Sequence, residues 1–222
     1  MTIWPTNSRR PRCRLALAVL CAGIALLAGQ APAEDQGLQP DSVVAPGSAH
    51  AEPRVADFQI WKRITLGTYK GVNGVRDALD AANIRVGASA DEILGRPGFH
   101  FSKTRMPMDL VVLTAVDLGL EKGSWPLRDI YRRAVQLGLE LCPAEVGPQL
   151  RLEYLNQPVG EFLHIAMRPV ATYRGDLVDL TVANGGAGLI LIGGDGSPEL
   201  NLHSSVKFVF VRPQRIAQPN VP

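Results

Sequence analysis

The chain has 222 residues, 46% of them hydrophobic and only 6% aromatic, enough for one domain with an aliphatic core. Its 23 basic and 21 acidic residues look balanced, but four arginines and no acid lie in residues 1–33. Without that segment the chain is slightly acidic and has no basic stripe, which excludes a phosphate-backbone reader and leaves no expectation of a nucleic-acid partner.

Residues 1–33 read as a secretory signal peptide. Arg9, Arg10, Arg12 and Arg14 precede an apolar run from Leu15 to Leu27, and Ala31-Pro32-Ala33 offers small residues for cleavage after Ala33. The mature chain is then expected to be periplasmic or secreted. The alternative is a membrane anchor through residues 15–29, which falls short of the roughly 20 apolar residues needed to span a bilayer. A membrane association is expected only if the segment is retained. Lipidation at Cys21 is disfavoured by Leu20 before it, and Ser8-Arg9-Arg10 makes a twin-arginine signal a further alternative.

Residues 34–56 are rich in Pro, Ala, Gly and Ser and read as a flexible linker. A single domain is expected over 57–213, with a loose tail at 214–222. Cys13 and Cys21 leave with the signal, so the lone Cys142 permits no intramolecular disulfide and reads as a buried apolar residue.

Within the domain, Phe58 to Leu66 suggests a strand. Asn73 caps a helix over 74–83, where Val75, Ala78, Leu79 and Ala82 recur at helical spacing. Ser89 caps a short helix through Leu94 that Gly95 and Pro97 end. Asp109 to Val116, apolar on both faces, fits a central covered strand. Pro126 opens a helix carrying Leu127, Ile130, Tyr131, Ala134, Val135 and Leu137, which Gly138 ends. Gln149 to Tyr154 alternates, with Leu150, Leu152 and Tyr154 against Gln149, Arg151 and Glu153, and reads as a half-buried strand. Further strands follow at Glu161–Met167, Leu177–Val182, Leu189–Ile192 and Lys207–Val211. The class expected is α+β, a mainly antiparallel sheet with two to three helices in the first half of the domain.

The stretch Leu137-Gly-Leu-Glu-Leu-Cys-Pro-Ala-Glu-Val-Gly-Pro-Gln-Leu-Arg-Leu-Glu-Tyr154 resembles a signature in a family of uncharacterised bacterial proteins. So do Trp61–Thr68, Asp91–Pro97, Asp109–Leu113, Gly160–Met167 and Phe208–Pro213, and the likeness covers roughly residues 60–213. The resemblance implies no activity. Some members of that family carry the automatic label helicase, but this chain has no G-x-x-x-x-G-K-[ST] loop to cradle phosphates and is too short for paired motor domains. The stretch Gly185–Gly196 departs from the family pattern.

The candidate polar cluster is Glu145, Gln149, Arg151 and Glu161. Pro143 and Pro148 stiffen the loop around Glu145. A hairpin of strands 149–154 and 161–167 would set Glu161 near Arg151 and Glu153. Two carboxylates in one cleft can act as acid and base on a glycosidic bond, although carboxylates beside an arginine are more often a surface ion pair. His164, between Leu163 and Ile165, reads as a hydrogen-bonded core or sheet-face histidine, with a site of His164, His203 and Asp195 as the alternative. No histidine sits in a metal-ligand pattern, so no metal and no cofactor are expected. The glycine runs at 184–188 and 193–196 read as hairpin turns, because neither leads into a helix that could hold an anion. The leading expectation is a non-catalytic exported module binding an envelope or extracellular protein or glycan. The alternative is a small exported glycan hydrolase using Glu145 and Glu161.

Overall fold

The computed structural model describes residues 53–214. The signal, the anchor alternative, most of the linker and residues 215–222 of the tail lie outside those residues. No helix among the described residues is long and apolar enough to cross a membrane.

The elements run β1 (Lys62–Leu66), α1 (Gly71–Ala81), β2 (Arg85–Val86), α2 (Ala88–Leu94), β3 (Met106–Thr114), β4 (Ser124–Pro126), α3 (Leu127–Gln136), α4 (Val146–Glu153), β5 (Phe162–Ile165), β6 (Val170–Ala171), β7 (Leu177–Gly185), β8 (Gly188–Asp195), β9 (Asn201–His203) and β10 (Lys207–Arg212). The folded unit begins slightly before the expected Asp57. A 3₁₀ turn spans Val55–Asp57, and the Val55 N–H donates to the Leu137 carbonyl.

One eight-stranded sheet orders its strands β1-β3-β10-β5-β7-β8-β2, with β6 beside β7, and curls into a half-barrel; β4 and β9 form a separate pair. The sheet is mixed. β5 runs parallel to β10, and β2 runs parallel to β8. This corrects the expected α+β class: the fold is mixed α/β with four helices, and the sheet is not mainly antiparallel. Both parallel pairs join strands far apart in sequence, where no turn signal announces the pairing.

The larger correction is α4. Gln149 to Tyr154 is not a strand, and no hairpin pairs it with residues 161–167. It is the body and end of a helix that touches β1, near one end of the sheet path, and β7 and β8, near the other. A helix that reaches both ends of a curled sheet lies inside the curl. Its first six residues, Val146 to Arg151, are all buried there, and only its end emerges, with Leu152 half-buried and Glu153 exposed. A stretch buried all round has no polar face, so the 3.6-residue period that reveals surface helices is absent. Gly147 permits the close approach: a Cβ there would stand 2.6 Å from Leu180 Cδ1. Pro148 is tolerated because it sits in the first turn, where its missing N–H has no intrahelical partner.

The sheet has a core on each face. Val209 and Val211 of β10 point toward α4 and α2, joining Ile64, Ile93, Val146, Leu150, Leu163 and Leu180. Phe208 and Phe210 point the other way and meet α3 through Leu127, Ile130 and Ala134. The Tyr131 ring stands edge-on to both phenylalanines. The period-two alternation of β10 serves both layers.

Smaller departures have local causes. Helix α1 begins before Asn73, because Gly71 takes φ +72° and turns the chain into the helix from Lys70. Helix α2 is preceded by Gly87, so Ser89 lies within it. The 184–188 run does make the β7–β8 turn, but Gly193, Gly194 and Asp195 belong to β8 itself. Gly193 is needed there because a Cβ would meet the Ala90 backbone nitrogen at 2.6 Å.

Candidate functional site

Three of the four candidate residues sit on or beside α4, and each is consumed by the fold. Glu145 precedes the helix and is 1% exposed. Its Oε1 accepts the Gly67 N–H at 2.8 Å, from the turn after β1, and its Oε2 accepts the Ser102 N–H at 2.7 Å, from the loop before β3. One carboxylate thereby ties two remote loops to the start of α4, where the helix dipole favours negative charge. Gly67 holds φ +71°, and a Cβ there would stand 2.2 Å from the Thr104 carbonyl oxygen. Glu145→Ala strands two backbone donors and is expected to destabilise the domain by about 2–4 kcal/mol in urea unfolding. An unchanged midpoint would remove this role.

Gln149 is buried and donates Nε2–H to Glu153 Oε1 at 2.6 Å. Arg151 is fully buried. Its Nη1 donates to Gln157 Oε1 at 2.5 Å and to the Ala183 carbonyl at 2.9 Å, and its Nη2 donates to the Tyr154 carbonyl. No carboxylate bonds it among the described residues, and Nε has no partner. Burial lowers its pKa to about 10, so the guanidinium stays charged at neutral pH with carbonyl dipoles in place of a counter-ion. Gln157 passes the connection on, donating to the carbonyls of Val182 at 3.1 Å and Glu161 at 3.2 Å.

Glu161 is separate. It lies just before β5, accepting Tyr154 Oη–H at 2.9 Å and Lys207 Nζ–H at 3.1 Å. Burial first, then Glu161, raises the Tyr154 phenol to about 12. Tyr154 also takes the edge of Trp61, with ring centroids 5.0 Å apart, and the Lys62 ammonium over its face. Glu161 and Lys207 line a concavity of about 520 Å³ with Pro158, Val159, Phe162, His164, Ser205 and Val206.

His164 contributes a ring whose Nδ1 is buried without a hydrogen bond. Burial lowers its pKa and keeps the imidazole neutral. The ring is therefore on a sheet face, as expected, but lacks the Nδ1 hydrogen bond that the expectation supplied. His203 Nδ1 is 2.7 Å from Ser205 Oγ and also accepts the Ser205 N–H at 3.3 Å. This is a two-residue turn contact, and among the described residues no acid hydrogen-bonds the imidazole, so the pair lacks the third member of a hydrolytic triad. Asp195 bonds Ser197 instead, so His164, His203 and Asp195 do not form a shared hydrogen-bonded site.

A glycosidase needs both carboxylates in one concave site, roughly 5 to 9.5 Å apart. Glu145 is buried with both oxygens occupied by backbone donors, whereas Glu161 lines the concavity of about 520 Å³ beside Lys207, so the two carboxylates do not share that site. Another concavity, of about 550 Å³, runs past Cys142, Leu139, Pro143 and Val170. The Cys142 thiol is buried, donates to the Val209 carbonyl at 3.3 Å, and is pushed up in pKa by burial, which disfavours the thiolate a nucleophile needs. Among the described residues no group of three His, Cys, Asp or Glu side chains is placed to hold a metal.

One buried group escaped the sequence reading. Asp179 lies in β7, 1% exposed, with neither carboxylate oxygen hydrogen-bonded. Burial, and then the charge of Asp195, raises it to about 7. The available signal was an acid inside the apolar run Leu177–Val182. Comparison with protein-family models, with curated proteins and with solved structures gives no match for this chain.

Proposed function

We propose that the chain is an exported, non-catalytic binding module that engages a protein partner at the cell envelope or outside the cell. The export part rests on the basic, apolar and small-residue succession of residues 1–33. The non-catalytic part rests on Glu145, Gln149 and Arg151 being spent on internal bonds. The observation that carries the binding part is the rim of the Glu161 concavity. Val159 is 77% and Phe162 50% exposed there, beside the Glu161–Lys207 ion pair. Large apolar side chains beside a few polar groups are the composition of an interface centre.

The test measures binding of the purified mature chain to solubilised envelope proteins and, separately, to envelope glycans. Phe162→Asp is expected to weaken protein binding by roughly 30-fold or more, the effect of losing an aromatic anchor, with the unfolding midpoint nearly unchanged. Saturable binding to glycans alone, glycan turnover, or protein binding that Phe162→Asp leaves intact would each contradict the proposal.

A further inference from the structure

The hairpin joining β6 to β7 carries a charged tripeptide that plays no part in the networks above. The two strands pair through Val170–Val178 and Ala171–Leu177, which leaves Thr172-Tyr173-Arg174-Gly175-Asp176 as the tip. Backbone and hydroxyl bonds close the tip at its base. The Thr172 N–H donates to the Asp176 carbonyl at 2.9 Å and the Gly175 N–H to the Thr172 carbonyl at 3.2 Å. The Asp176 N–H donates to Thr172 Oγ1 at 3.1 Å. Gly175 holds φ +92°, a conformation that L side chains rarely adopt.

Tyr173 is clamped from outside the hairpin. Its N–H donates to Glu92 Oε1 at 2.6 Å, and the Arg96 guanidinium lies 4.0 Å from its ring centroid. Arg96 is itself anchored, donating Nε–H to the Ala171 carbonyl at 3.0 Å. One flank of the tip is thus pinned to the body of the domain. Arg174, Gly175 and Asp176 face solvent. Asp176 Oδ2 accepts only a long bond, 3.4 Å from Thr172 Oγ1, and Arg174 has no side-chain partner among the described residues.

We infer that this tip is a recognition element, presenting Arg174, Gly175 and Asp176 to a protein receptor whose site joins a bound divalent cation to an acidic groove. A carboxylate is the side chain a hard cation takes up most readily. A guanidinium fork matches carboxylates in a groove. The glycine between them has no side chain to keep the receptor off the backbone. One positive and one negative charge two residues apart carry no net charge, so the tip does not suit a polyanionic membrane or nucleic acid. In this inference the cation is the receptor's own, and Asp176 supplies one carboxylate to it; among the described residues no group of three His, Cys, Asp or Glu side chains is placed to hold a metal. The clamp on Tyr173 and the closed base hold the loop in shape before binding, which lowers the ordering cost of association. Metal-dependent adhesion receptors that read Arg-Gly-Asp loops have this chemistry. The inference rests on the proposed placement outside the cytoplasm for its occurrence in life, but not for the affinity of the purified protein.

The test uses the purified chain adsorbed to a surface and fibroblasts carrying such receptors. Cells are expected to attach in magnesium or manganese. Chelation, or competition by a short soluble Arg-Gly-Asp peptide, is expected to abolish attachment. Asp176→Glu and Arg174→Lys should each reduce it by roughly tenfold or more, about 1.4 kcal/mol per tenfold, at an unchanged unfolding midpoint. Phe162→Asp should leave it intact, which separates this site from the Glu161 concavity. Absence of attachment, or attachment that survives chelation or Asp176→Glu, would overturn the inference and leave the tip a solvated turn.

Discussion

Arg151→Ala is expected to destabilise the domain by about 3–5 kcal/mol, the range for cutting a large buried side chain back to alanine with its acceptors stranded, and to lower the thermal midpoint by about 6–20 °C for a domain of this size. The side chain is fully buried and serves three acceptors on three segments: Gln157 before β5, the Ala183 carbonyl in β7 and the Tyr154 carbonyl ending α4. Removing it strands those acceptors and opens a cavity in the centre of the curl. One effect opposes this. The guanidinium is a desolvated charge without a counter-ion, and deleting it relieves that penalty. Arg151→Met, which keeps most of the volume and drops the charge, should therefore cost less than Arg151→Ala. Arg151→Lys should not restore stability, because a single ammonium cannot reproduce the fork that reaches all three acceptors. Urea unfolding of the three variants checks the order. Equal stability of all three with the parent would mean the network contributes nothing.

Asp179→Asn is expected to stabilise the domain at pH 7 to 8 and to change little at pH 4. The carboxyl of Asp179 is raised from its ordinary 3.8 to about 7, by burial first and the charge of Asp195 second. The folded state therefore holds this proton more tightly than the unfolded chain. The stabilisation is complete below the unfolded value, falls as pH rises, and is lost above about pH 7, an amount of up to about 4 kcal/mol. Asparagine carries no such dependence. The surroundings match the sign. Asp195 adds negative charge, and the buried Tyr131 hydroxyl, the other titrating group that senses Asp179, is raised in pKa and stays neutral. Gly194 stands opposite on β8, where a Cβ would crowd Asp179 Oδ1 at 3.2 Å. Asp195→Asn should lower the Asp179 pKa and flatten the parent profile above pH 6. A thermal midpoint that does not fall between pH 5 and pH 8 would contradict the assignment.

The elements that showed in the sequence are those with one wet face, a local punctuation mark or a short run apolar on both faces. Helix α3 has Pro126 at its start, Gly138 past its end and an apolar stripe between them, and it packs on one sheet face as that stripe requires. Asp109 to Thr114 was readable as a covered strand because it is apolar on both faces, and β3 has a core on each side, although the strand starts earlier, at Met106, and Ala115 and Val116 belong to the turn after it. Helix α4 was not readable, because burial of Val146 to Arg151 hides the period, and Gln149 and Arg151 make internal bonds, to Glu153 and to Gln157, Tyr154 and Ala183. The alternation of Leu150, Leu152 and Tyr154 reads as a strand only if Gln149 and Arg151 meet water as Glu153 does. Parallel pairing of β5 with β10 and of β2 with β8 left no local mark at all.

The same division applies to the candidate site. Glu145, Gln149 and Arg151 were singled out together and do cluster, around α4, but as supports of the fold. Glu161 lies apart on a surface concavity. Asp179 was passed over because a single acid in an apolar strand offers no spacing pattern.

The central claim is that the segment from Glu145 to Arg151 is the enclosed centre of the fold, continued as helix to Glu153, and not an exposed reactive strand. Native-state hydrogen exchange tests it most directly, at the α4 amides of Gln149 to Tyr154 and at the Gly67 and Ser102 amides held by Glu145. The account predicts that the α4 amides exchange only through global unfolding, with the largest protection in the domain. It predicts that Gly67 and Ser102 lose protection in Glu145→Gln while α4 retains most of its own. Exchange of residues 149–154 by local opening, at rates like those of the exposed Arg174–Asp176 tip, would contradict it.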